Sequence, residues 1–273
     1  MDTEQDVALI NRKRKSRNAD SSALGLSATP VSTRTAREVR ILNQPGFVLH
    51  SYPYKETSLI VEVFSREYGR LSLVAKGAKR PTSALRSVLQ TFQPLNVSWT
   101  GKSDIRTLIA AEWVGGMLPL EKSALLCGFY LNELLMKFLV RDELNTALFD
   151  AYVSTLNQLA HNEVASIVLR KFELKLLQQA GLIGELSYCV STRARTLSNE
   201  YYVLEPGVGV RLAAKIEHWP IVVGKTLLEM SDGDYSDPQT QLQSKHLMRS
   251  LLAFHLNGGT LHTRQILIDL HKL

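Results

Sequence analysis

The sequence predicts an α+β chain in two parts, a small closed barrel of short strands followed by a mainly helical domain. Three observations carry this. From Gly46 the apolar residues alternate with period two, in short runs separated by turn residues. Near Pro119 the period changes to 3.6 and stays there for most of the remaining chain. Positive charge is concentrated in the first half: residues 1–45 carry +3, 46–122 carry +4 and 123–273 carry −1, together the net +6 of the 273-residue chain. A basic module tied to a near-neutral one suits a polyanion ligand.

Residues 1–45 read as a disordered basic extension. Asn11-Arg12-Lys13-Arg14-Lys15-Ser16-Arg17 precedes a Ser/Ala/Thr-rich stretch with little apolar periodicity. The only apolar stretch near the start, Val7 to Ile10, is too short for a secretory h-region, and the basic cluster follows it. Residues 46–117 read as the barrel. Phe47 to Tyr52 is a strand, Thr57 to Phe64 a second, and Arg70 to Lys76 a third. The turn Ser65-Arg66-Glu67-Tyr68-Gly69 joins the last two as a hairpin. Gly77 to Arg86 is a polar, basic connection containing Pro81. Phe92 to Thr100 and Arg106 to Trp113 follow, split by Gly101-Lys102-Ser103-Asp104. Five short strands in about 70 residues suit a five-stranded OB-fold β-barrel.

Residues 118–273 read as the helical domain. Leu125, Phe129, Leu131, Leu135, Phe138 and Leu139 line one stripe; Leu148, Tyr152, Leu156 and Leu159 line another. Val164, Val168, Phe172, Leu176 and Gln179 line a third, which ends at Gly181. Residues 184–223 read as an irregular insert. Pro238 to Leu256, capped by Asp237 and stopped at Gly258-Gly259, and Thr263 to His271 complete the helices.

Catalytic and metal motifs are absent from the sequence. The histidines His50, His161, His218, His246, His255, His262 and His271 include no HExxH pair. Gly207-Val208-Gly209 lacks the third glycine of a dinucleotide fingerprint. Asp232 to Asp237 opens like a calcium loop, but Asp237 stands where the loop needs glycine and Gln243 where it needs glutamate; Asp237 reads as a helix cap. No nucleophile elbow surrounds any serine. Cys127 and Cys189 make neither a disulfide framework nor a complete metal site, which fits a reducing cytoplasm. No run of about 18 apolar residues predicts a membrane-spanning helix.

The stretch from Val74 to Arg86 does carry chemistry. It places Lys76, Lys79, Arg80 and Arg86 around a Gly/Pro-containing turn beside a strand. A sugar–phosphate backbone is met by charge and reach more than by fixed geometry. Arg66, Arg70, Lys102 and Arg106 are expected to extend that surface. Of the aromatic residues Tyr52, Tyr54, Phe64, Phe92 and Trp99, Tyr54 in a polar turn is the best candidate to stack on a base, whereas Phe64 and Phe92 read as core.

Several segments match a known family. Gly46 to Ser58 with its Glu56-Thr57-Ser58, the turn Gly69-Arg70-Leu71, and Val74-Ala75-Lys76-Gly77-Ala78 resemble the N-terminal domain of the RecO family. Tyr130 to Leu135 and Leu169 to Leu174 resemble its helical part, in the right order, and the resemblance covers about residues 46–270. It implies an OB-fold joined to a helical domain, binding to single- and double-stranded DNA, and annealing of complementary strands. It also implies work with RecR and the single-stranded DNA-binding protein SSB to load RecA at gaps, with no nucleotide cofactor, in the nucleoid-associated cytoplasm. Many members hold zinc with four cysteines in the insert. Here Cys189 matches the first ligand position, Thr192 stands three residues on, and Glu205 to Leu212 contains no cysteine, so a zinc-less form is expected.

The competing reading is a nuclease or other nucleic-acid enzyme that captures substrate with an OB-fold. It would need carboxylates clustered around a metal. Glu56, Glu62, Glu67, Asp104, Glu112 and Glu121 form no recognisable metal motif. For the partner tail, the resemblance implies capture of the acidic, apolar-ended SSB C-terminus on the helical domain. Arg170, Lys171 and Lys175 are the expected cations, with Arg170 as the main anchor, and Phe172, Leu169 and Leu176 lie along the adjoining apolar side. The alternative is that Arg170 and Lys171 pair with Glu173 or Glu133.

Overall fold

A computed structural model describes residues 39–263 and 265–266. Strands β1 (Arg40–Tyr54), β2 (Ser58–Ser65) and β3 (Gly69–Ala75) form a meander; helix α1 (Ala84–Val88) follows, then β4 (Leu95–Thr100) and β5 (Ile105–Trp113). The strands close into a barrel in the order β1-β2-β3-β5-β4, with β3 and β5 parallel. Val48, Val61, Val63, Leu71, Leu73, Leu95, Val97 and Trp99 fill its interior. They are the alternate residues that period two places on one face.

The barrel begins earlier than the expected Gly46. Arg40 pairs with Thr100, Ile41 with Trp99 and Gln44 with Val97, so residues 40–45 are the part of β1 that closes the barrel against β4. Their polar composition hid this, because only Ile41 packs inward. The remainder of the expected extension, residues 1–38, lies outside the described residues.

Helices α2 (Lys122–Phe138), α3 (Thr146–Ala160) and α4 (Ala165–Gln179) follow the barrel. Asn145 caps α3, its side chain accepting from the Leu148 N–H at 2.9 Å. The stretch 184–223 is a correction: it is a five-stranded sheet rather than irregular. Its strands are β6 (Tyr188–Cys189), β7 (Ala194–Arg195), β8 (Tyr201–Glu205), β9 (Gly209–Leu212) and β10 (Ile221–Val223), in the order β10-β8-β9-β6-β7. Two to five residues are too few for alternation to register in sequence. A short helix, α5 (Gly224–Asp232), was likewise not foreseen. Helix α6 (Pro238–His255) carries the expected Asp237 cap, which accepts from the Gln239 N–H at 2.8 Å, with Pro238 in the first turn. The expected last helix, Thr263–His271, lies mostly outside the described residues.

A second apolar core joins the two parts. Phe47 and Phe64, on the outer face of β1 and β2, meet Phe149 and Tyr152 of α3 with ring centroids 5.3–6.1 Å apart. Asn132 of α2 donates to the Leu49 carbonyl of β1 at 2.9 Å and accepts from the buried Tyr152 hydroxyl at 2.6 Å.

Candidate nucleic-acid interface

OB-folds commonly take oligonucleotides on the face of strands 2 and 3. Here α2 and α3 cover much of that face, with Phe64 and Glu62 of β2 and Ser72 of β3 buried beneath them. What remains open is the end of the barrel where β1 turns into β2 and β3 runs out. The connection after β3 is a chain of tight turns: Arg80 N–H donates to Gly77 at 3.0 Å, Ser83 to Arg80 at 3.0 Å and Arg86 to Ser83 at 3.2 Å. Gly77 supplies the positive φ of 71° that starts it. Ala78, Leu85, Val88 and Leu89 point into the barrel and plug that end. Lys76, Lys79, Arg80 and Arg86 are left exposed on the outside. None of these four takes part in an ion pair among the described residues.

This loop rests on the β1–β2 turn. Lys79 N–H donates to the Thr57 carbonyl at 2.9 Å, which brings Lys55 and Tyr54 to the same end. Lys55 was not singled out in the sequence, where it is an ordinary turn lysine; its ammonium lies 5.3 Å from the centre of the Tyr54 ring. Tyr54 ends β1 rather than sitting in the turn itself, and is half-buried.

The other cations do not extend this surface, which corrects the sequence-based expectation. β3 runs from Gly69 to Ala75, so Arg66 and Arg70 stand about 20 Å from Lys76 along the strand at about 3.3 Å per residue. Because β5 runs parallel to β3 with Ile105 opposite Ser72, Lys102 belongs to the Gly69 end, whereas Arg106 stands opposite Leu73 in mid-strand and its side chain reaches Asp142, whose N–H donates to the Arg70 carbonyl. There Arg66 is paired with Asp150 at 3.0 Å and Arg106 with Asp142 at 2.6 Å. Arg70 binds the buried Glu62 at 3.0 Å and donates to the Met136 and Leu139 carbonyls at the end of α2. These arginines hold the barrel to the helices. Lys102 is exposed on the β4–β5 turn of that end.

The family comparison adds to this geometry. Residues 39–117 match the model of the recombination protein O N-terminal domain, and residues 121–265 that of its C-terminal domain. The chain belongs to the RecO family. The N-terminal match begins beside Arg40, where β1 begins. Proteins named DNA repair protein RecO are similar over most of their length. That of Cupriavidus pinatubonensis is 56% identical over 238 residues, 86% of this chain and 82% of the relative. That of Ralstonia nicotianae is 55% identical over 237 residues, 86% and 87% of the two chains. That of Burkholderia pseudomallei is 56% identical over 238 residues, 86% of each. No helix among the described residues is long and apolar enough to cross a membrane.

The zinc that many RecO proteins are expected to carry does not fit the residues of this insert. Cys189 is buried in β6, and its sulfur contacts the Ser191 hydroxyl at 3.2 Å. The chain's other cysteine, Cys127, lies in α2, and both thiols are free. Among the described residues, no cluster of three or more His, Cys, Asp or Glu could hold a metal. An arginine fastens the insert instead. Arg211 of β9 takes both oxygens of Glu217 at 2.7 and 2.9 Å and also binds Glu205 of β8. The guanidinium, helped by the Ala214 N–H, holds the Glu217 carboxyl down at about 2.

The expected partner site on α4 is rearranged. Arg170 is ion-paired with Glu173, a fully buried carboxylate that also accepts from the Tyr130 hydroxyl at 2.6 Å. Arg170 is therefore already engaged by a buried carboxylate on its own helix and is not presented as a free cation. Phe172 is buried against Tyr152 and cannot line an open pocket. Leu176 is buried as well, and Leu169 packs partly into the core. Lys171 remains exposed, its ammonium 5.9 Å from the Tyr235 ring centre, and Lys175 is half-exposed one turn away.

Proposed function

We propose that the chain is a recombination mediator of DNA repair that binds single- and double-stranded DNA and anneals complementary strands. With RecR, it helps load RecA onto SSB-coated DNA. One observation carries this reading: Lys76, Lys79, Arg80 and Arg86, joined by Lys55, crowd one end of an OB barrel without counter-ions among the described residues. Contacts of this kind neutralise phosphates irrespective of sequence. Two strands screened by one cationic end repel each other less, which favours pairing without bond chemistry and without a nucleotide cofactor. The exposed turns are held by backbone hydrogen bonds, so little order is lost on binding. Such a protein works in the cytoplasm at the nucleoid. The SSB tail is assigned to the helical domain, with Lys171 and Lys175 as the remaining cations of the expected set, Arg170 being paired with Glu173 and Phe172 buried.

The experiment is annealing of complementary strands, bare and SSB-coated, in the presence of magnesium. The full chain is expected to anneal both without cleaving either. Lys171→Ala/Lys175→Ala is expected to slow only the SSB-coated reaction. Cleavage of the DNA, or no acceleration of either reaction, would refute the proposal; equal loss on both substrates would move the tail site off α4.

A further inference from the structure

The outer face of β1 continues past the helical domain as a short row of rings. Ser51 pairs with the barrel-core residue Val61, so its neighbours His50 and Tyr52 point the other way, followed by Tyr54. His50 and Tyr52 stand edge to face with centroids 4.5 Å apart, which fixes the tyrosine ring while leaving it 42% exposed. Across from them, Phe129 of α2 is 40% exposed although it belongs to the apolar stripe of that helix, and its ring is held edge to face by Phe92 at 5.0 Å. Tyr52 and Phe129 line one mainly apolar cavity of about 440 Å³, floored by Leu49 and Met136. That volume is in the range of clefts that take small planar ligands.

We infer that this cavity is a nucleobase site: a base of single-stranded DNA enters between β1 and α2 and stacks on Tyr52, while its backbone follows the cations at the barrel end. The inference rests on the DNA-binding reading above and assigns that reading a specific contact. Three features favour a base over a partner peptide. Tyr54 lies about 7 Å along the same strand face from Tyr52, and beyond it stand Lys55, Lys79 and Arg80, so ring platform and phosphate contacts are continuous. The cavity presents preorganised aromatic faces, to which any base can stack. An acidic peptide would require cations at the rim, and among the described lining residues the one lysine or arginine is Lys137, which stands 4.0 Å from Glu133. Glu133 is itself consumed by the His262 and Thr263 N–H groups at 2.8 and 2.9 Å.

The test compares binding of the full chain to an oligo-dT and to an abasic strand of equal length by fluorescence anisotropy. The abasic strand keeps the phosphates and removes the bases. Tyr52→Ala is expected to weaken dT binding roughly 5- to 150-fold, the value of one stacked base. It should leave abasic binding and the salt dependence on both strands unchanged. Tyr52→Phe, which keeps the ring, is expected to bind dT as the parent does, and this separates stacking from any hydroxyl contact. Equal losses on dT and abasic strands, or no loss on either, would overturn the inference while leaving the DNA-binding reading intact. Loss of affinity for an acidic peptide with an apolar C-terminal residue, with dT binding spared, would overturn it in favour of a protein-docking cavity. Failure of the parent chain to bind either strand in a salt-dependent way would remove the DNA-binding reading and this inference together.

Discussion

Replacing Arg70 with methionine tests the joint between barrel and helices. Glu62 is 1% exposed, and its carboxylate is held by Arg70 at 3.0 Å, Arg141 at 2.8 Å and the Ser72 hydroxyl at 2.6 Å. The same Arg70 guanidinium donates to the Met136 and Leu139 carbonyls, where α2 ends and its last acceptors need partners. Removing one side of a buried pair costs about 3–5 kcal/mol. Arg141 and Ser72 stay with Glu62, so the lower end, about 3 kcal/mol, is expected. For a cooperative unit of this size, each kcal/mol lowers Tm by about 2–4 °C. Arg70→Met should therefore lower Tm by about 6–12 °C, read by circular dichroism or calorimetry. Adding Glu62→Gln removes the buried charge left with one fewer partner and should recover at least about 1 kcal/mol relative to additive losses. A drop in Tm under about 2 °C, or strictly additive losses, would refute the reasoning. The slope of DNA affinity against salt should not move, because Arg70 is away from the proposed phosphate contacts; a shallower slope would return it to the interface.

Replacing Lys76, Lys79, Arg80 and Arg86 with alanine together should reduce the log–log salt slope on single strands by about 2.8, since each lost phosphate contact removes about 0.7; an unchanged slope would show that this end is not the contact surface. Because Arg211 first, and then the Ala214 N–H, depress the Glu217 carboxyl to about 2, its contribution to stability is present above the unfolded value of about 4.3 and is lost as pH falls toward about 2. Hydrogen exchange should accordingly show β8 and β9 loosening over that interval, Glu217→Gln should abolish the step, and identical profiles for the two chains would count against the arginine staple. Purified protein should contain no stoichiometric zinc, and chelators should leave Tm unchanged; one zinc per chain by elemental analysis would overturn the account of Cys189.

Local pattern made the barrel legible. The strand pairs Val48–Val63 and Val61–Leu73 carry a period-two signal strong enough to read without neighbours, and Asp237-Pro238 announces α6 by cap chemistry alone. The insert sheet was not legible, because strands such as Tyr188–Cys189 draw their stability from partners rather than from any pattern of their own. α5, with nine residues, fell below the length at which helical periodicity stands out.

The candidate site divides in the same way. Sequence by itself determined that Lys76, Lys79, Arg80 and Arg86 are exposed, because Ala78 and Leu85 among them, with Val88 and Leu89 just beyond, are the apolar residues that turn inward. Only the tertiary structure decided which further charges are free. Arg66, Arg70 and Arg106 look the same in sequence as Lys79 or Arg80, yet each meets a carboxylate eight to 84 positions away, whereas the Arg170–Glu173 pair, three positions apart on one helix, is an alternative the sequence itself offers. The parallel β3–β5 pairing sends Lys102 to the far end of the barrel. It also took the tertiary structure to set Tyr52 across a cavity from Phe129, since the two belong to separately patterned elements. The physical reason is range. Burial and backbone periodicity are dictated within a few residues of chain, whereas an ion pair or a cavity is made by groups that only the packing of distant segments brings within reach.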